Sequence, residues 1–143
     1  MACTSMAIQD PIDRTSAEKV DALIKASGYG YERVSVGLWN VTVPAGTNRN
    51  PIPVGIMVGS DLATLQAWGR NRSDFHESMD LFARFLKLNH QFDSLKVELT
   101  ENQVLIRLDM RIRVLDGTEL DYGLKQVAAV TDETIRQFKS DLK

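Results

Sequence analysis

The sequence predicts an α+β domain, a mainly antiparallel five-stranded sheet with helices on one face, in the order α-β-β-β-α-β-β-α. Three observations predict it. In NQVLIRLDMRIRV, residues 102–114, Val104, Ile106, Leu108, Met110, Ile112 and Val114 share one parity, while Leu105, Arg107, Asp109, Arg111 and Arg113 share the other. Successive strand side chains point to opposite faces, so this is a strand with one apolar face. Next, Leu120, Leu124, Val127, Ala128, Thr131, Ile135, Phe138 and Leu142 step by three and four without a proline, a long amphipathic helix. Lastly, the β-prone segments are joined by hairpin-length links, which make antiparallel neighbours.

The elements follow in order. Residues 1–14 read as a loose arm broken by Pro11, and 15–143 as one domain. Thr15 followed by Glu18 is a capping box, Ala17, Val20, Leu23 and Ile24 form the stripe, and Gly28 supplies a left-handed stop. YERVSVGLWNVTV, residues 31–43, changes phase near Gly37, so the firm strand is placed at Trp39–Val43, with a bulge or turn before it. PAGTNRNP, residues 44–51, is a loop. IPVGIMVG is the second strand, with Pro53 marking an edge position or the start of the strand, and LATLQAWG is a weaker third ending near Trp68. Phe75, Met79, Phe82, Phe85 and Leu86 recur at helical spacing, with Ser73 as cap and Asn89 as stop. This is the most hydrophobic helix, so it is expected at the centre of the core. A two-residue turn at Glu101-Asn102 would pair Leu99 with Val104, Val97 with Ile106 and Leu95 with Leu108, which gathers the apolar side chains on one face. Asp116 or Thr118 caps the last helix.

The pattern FARFLKLN, then SLKVEL and NQVLIRLDMRIRV, then the helix capped from Asp116, resembles the YbjN-like family of bacterial proteins over roughly Thr15 to the end. That family is similar in fold to the class I type III secretion chaperones. The resemblance implies a dimeric binding scaffold without an active site, regulatory or chaperone-like, and it carries over no functional residue.

Composition bounds the function. The chain has 143 residues, 43% hydrophobic and 25% charged, enough for one soluble domain with its own core. A net charge of -2 argues against nucleic acid as the partner. Cys3 is the only cysteine and cannot form an intramolecular disulfide, which fits a reducing compartment. With no basic start followed by an apolar run, and no long apolar window, the expected setting is cytoplasmic and away from membranes.

Chemistry is sparse. His76 beside Glu77, with Asp80 a turn later, is read as solvated surface rather than a metal site, and His90 as a favourable charge near a helix end. No catalytic, cofactor-binding or metal-ligating set is expected. What remains is binding: Lys96, Arg107, Arg111 and Arg113 on the polar face of the hairpin could dock an acidic segment, against the alternative of an ordinary solvent face. Trp39 and Trp68 complete the candidate contact residues, with core packing as their alternative. The expected function is a non-enzymatic domain, a homodimer, that captures a peptide segment of a partner protein along a sheet edge or in a helix-lined groove. The alternatives are a self-associating regulatory or structural domain and, behind it, a small-molecule-binding domain.

Overall fold

The computed structural model describes residues 13–46, 50–92 and 94–143, so the expected arm lies outside the described residues up to residue 12. Three helices, α1 (Arg14–Ser27), α2 (Met79–Gln91) and α3 (Gly117–Gln137), accompany six strands among the described residues. The strands are β1 (Gly30–Ser35), β2 (Leu38–Val43), β3 (Ile52–Val58), β4 (Leu62–Asn71), β5 (Leu95–Leu99) and β6 (Gln103–Arg111). They form one antiparallel sheet in the order β1-β2-β3-β4-β6-β5. The α+β class is as expected, but the sheet has one strand more than the five expected. The phase change near Gly37 is a tight turn between two paired strands, with Gly37 at φ 77°. Every residue of β1 is exposed, so it has no buried face to announce it.

The core follows from register. Trp39, Val41 and Val43 lie opposite Ile56, Val54 and Ile52, and Ile56 lies opposite Leu65 and so reaches Leu108 on β6. All of these are buried. The hairpin register is the one the alternation demands: Leu99 opposite Val104, Val97 opposite Ile106, Leu95 opposite Leu108. The turn is closed by Thr100 N–H donating to Gln103 O at 2.9 Å. Val114 departs from expectation, because β6 ends at Arg111 and Val114 sits 67% exposed in a short 3-10 turn.

Pro53 falls in the stretch of β3 before Gly55, where β3 pairs with β2 alone, so its missing N–H breaks no ladder with β4. β4 is not weak. It continues past a bulge at Trp68, whose φ of 58° is in the left-handed region that bulky residues avoid. The bulge sets the half-buried Trp68 ring against Phe75 (5.6 Å), Phe85 (6.5 Å) and Phe138 (6.5 Å).

The helix caps correct two expectations. Asp13, rather than Thr15, caps α1, its carboxylate accepting from Thr15 N–H at 3.0 Å; the αL stop at Gly28 is present. Ser78, rather than Ser73, caps α2, and Phe75 is outside the helix, bridged to Leu142. Asp116 caps α3 by accepting from Glu119 N–H, as the capping box requires. The centre of the core belongs to α3, which touches β2, β3, β4, β6 and α1; α2 packs mainly on β5. α3 has 21 residues and lies across four strands, while α2 has 13 and lies toward the β5 end of the sheet, its Phe85 reaching Trp68 of β4.

An ion pair ties the C-terminal segment down. Arg84 makes a two-pronged contact with Asp141, at 2.9 and 2.5 Å, and His76 N–H donates to Asp141 O at 2.8 Å. The Arg84 guanidinium holds the Asp141 carboxyl below its ordinary range. A depressed folded pKa contributes stability above the unfolded carboxylate value and loses it as pH falls through the folded one. Asp141→Asn is therefore expected to be less stable than the parent at neutral pH and to converge with it in acid. Urea midpoints measured from about pH 7 down to about pH 2 check this.

Candidate functional site: an open strand end beside α3

β6 outruns its neighbour. On the β4 side its pairing extends to Arg111 opposite Leu62, while on the β5 side it stops at Leu108 opposite Leu95. Backbone groups of an antiparallel strand turn alternately to its two sides. Ile112 N–H turns to Asp61 O on the β4 side, so the Arg111 amide and carbonyl face the side on which β5 has ended. The gap opens into a cavity of about 510 Å3 between this strand end and the first turns of α3. Leu108, Met110 and Leu115 supply apolar surface, with Val114 and Tyr122 at the mouth. Gly123 lets Met110 lie close against α3: a Cβ there would meet Met110 Sδ at 2.8 Å, so the flexible Met110 side chain would have to shift. The hollow continues along α3 by way of Ser94, Tyr122 and Gln126 towards Phe92 and Val130.

The charges around the cavity differ in availability. Asp109 accepts from Thr64 Oγ1 at 2.8 Å and from Arg107 at 3.0 Å, so its charge is largely satisfied within the sheet. Asp116 and Glu119 stand on the α3 rim and Arg111 on the strand rim, and Arg111 has no ion-pair partner among the described residues.

The structure separates the residues singled out from sequence. Arg107 binds Asp109 and also Glu98 at 3.2 Å; these hydrogen bonds, Asp109 first, raise its pKa. Lys96 lies opposite Arg107 as the register requires, and its ammonium donates to Phe92 O at 3.0 Å. Arg111 alone of the row lines the cavity, while Arg113 sits on the 3-10 turn near Asp61 and Lys19. Trp39 is wholly buried, its indole N–H donating to Asp21 at 3.0 Å, which closes it to any partner of the folded chain. Trp68 is half-buried in the aromatic cluster. The residues that sequence reasoning missed are Met110 as a lining residue, Tyr122 and Gly123. A signal was present: the alternation of 104–114 is longer than that of its hairpin partner, 95–99, so one strand had to run on alone.

Among the described residues, no group of three or more His, Cys, Asp or Glu is arranged to hold a metal, and no helix is long and apolar enough to cross a membrane. The perturbed acids move toward their charged forms: Asp21 through Lys25, and Asp121 through Lys125 with Tyr29. The Tyr29 hydroxyl, partly buried and donating to Asp121 at 2.6 Å, is pushed up to about 12.

These features define an α+β domain with an incomplete strand edge above an apolar hollow. No protein-family model matches the chain, and no curated protein matches it.

Proposed function

We propose that this chain is a non-enzymatic protein-binding domain, chaperone-like or regulatory, that captures an extended segment of a partner protein beside the open end of β6. The run of β6 past Leu108, paired with β4 but open on the side where β5 has ended, lies directly above the 510 Å3 cavity and carries the reading. A strand added there would use the Arg111 N–H, which faces the side that β5 has left, for a main-chain hydrogen bond, and its alternate side chains would enter the cavity. Apolar residues suit Met110 and Tyr122, and a lysine or arginine in the segment suits Asp116 and Glu119 on the rim. The resemblance to YbjN-like proteins is consistent with this reading, and the single cysteine supports a reducing, cytoplasmic setting.

Gly123→Ala tests the proposal, since the added methyl must displace the flexible side chain of Met110, which lines the cavity. Affinity capture from the native cell lysate, quantified by mass spectrometry, is expected to lose the retained partner by about tenfold, equivalent to ~1.4 kcal/mol. Arg107→Glu with Arg113→Glu, both off the cavity lining, is expected to leave capture unchanged. The opposite pattern would assign capture to the arginine surface instead.

A further inference from the structure

The start of α1 borders the cavity beside α3. Asp13, the N-cap of α1, lines a small hollow with Ile112 and Arg113. Lys19 Nζ donates to Ile112 O at 2.6 Å and so pins the first turns of α1 against the back of the Ile112–Val114 turn. The cavity lies on the other side of that turn, where Arg111, Val114 and Leu115 line it. Residues 1–12, MACTSMAIQDPI, are outside the described residues and join the chain at this point. Three extended residues span ~10 Å, enough to round a three-residue turn, so the residues before Asp10 have the reach to enter the cavity.

We propose that the chain's own residues 6–10, MAIQD, occupy the cavity along the open end of β6 until a partner displaces them, a gate that rests on the capture reading above. The segment's sequence selects it as the occupant. Led back from Asp13, it meets Arg111 first and Leu108 last, so it runs parallel to β6. Strand alternation then puts Met6, Ile8 and Asp10 on one face. The cavity offers the same order: Leu108 and Met110 give apolar surface to Met6 and Ile8, and Arg111 gives a cation to Asp10. Asp10 carries the only charged side chain of residues 1–12, and Arg111 has no ion-pair partner among the described residues. Pro11 favours an extended backbone at Asp10, the conformation that strand addition needs. The Arg111 N–H, on the side that β5 has left, donates the main-chain bond. A short tether sets the local concentration of the segment at ~1 mM, so an intrinsic Kd of ~0.1 mM keeps the site about nine-tenths closed and weakens partner capture about tenfold.

Cys3 is the only cysteine, so a nitroxide attached to it reports the position of the segment in the full chain. In NMR spectra of the purified protein the label is expected to broaden the amide signals of Ser94, Met110 and Tyr122 around the cavity. It should spare Ser60 and Asp61, which border Asp13 on the other side of the turn. Met6→Ser with Ile8→Ser should remove this asymmetry and raise partner retention in lysate capture about tenfold. Asp10→Arg should weaken the asymmetry, and adding Arg111→Asp should restore it. Equal broadening on both sides of the turn, or an asymmetry indifferent to the double serine variant, would overturn the proposal whatever capture does. An asymmetry lost in that variant with capture unmoved would leave the segment in the cavity, and would overturn both the gate and the placing of capture there.

Discussion

Replacing Phe138 by alanine is expected to destabilise the domain by about 3–5 kcal/mol, the usual cost of deleting a fully buried aromatic ring. Phe138 is the C-cap of α3 and has no exposed surface. Its ring lies 4.6 Å from that of Phe85 on α2 and 6.5 Å from that of Trp68 on β4, and the Arg84 guanidinium sits 5.0 Å over it. One side chain therefore joins the end of α3 and the middle of α2 to the strained bulge of the sheet. Its removal leaves a cavity and also loosens Arg84, whose bond to Asp141 fixes the C-terminal segment. The indole of Trp68 provides the second readout: with a gap beside it, its near-ultraviolet circular dichroism should weaken before any change in secondary structure. A urea midpoint that hardly moves would mean that this cluster does not clamp the fold.

Asn89→Ala should have the next largest effect, about 2–3 kcal/mol, because it leaves two strand groups without partners. The Asn89 amide binds Val97 twice, donating to Val97 O at 3.0 Å and accepting from Val97 N–H at 2.5 Å. It imitates the strand that β5, at the end of the sheet, does not have. Edge strands left open invite pairing with other chains, and covering them with a helix is one protection. The variant should lose hydrogen-exchange protection at the Val97 amide and aggregate more readily on warming. Equal protection in parent and variant would show that the side-chain bond is not what guards the edge.

Much of the fold was legible because its strongest signals are local. The β5–β6 register follows from a period of two and a short turn, and the α3 cap from Asp116 and Glu119 three residues apart. β1 was not legible as a strand, since with every residue exposed it lacks the alternation that burial imposes. The α2 boundary depended on tertiary structure: Phe75 fits helical spacing with Met79 and Phe82, but its place is set by the bridge to Leu142, far along the chain. The helix was rightly read as apolar and wrongly as central, because two opposed stripes, Leu81–Phe85–Leu88 and Met79–Ala83–Leu86, cannot be ranked from sequence. The arginines looked like one surface because they share a strand parity. In the fold Arg107 is consumed by two acids, and Arg113 has left the strand altogether. The cavity needed one fact that periodicity supplies only in outline, namely that β5 begins at Leu95 while β6 continues to Arg111.

The central claim is that a partner segment lies beside the open end of β6. A photo-crosslinking amino acid placed at Val114, exposed at the cavity mouth, or at Arg113, exposed on the other side of the turn, reads that location directly in the native cell. Irradiation is expected to join a second protein to the chain from position 114 and to yield little or none from position 113. Adducts from 113 with none from 114 would contradict it.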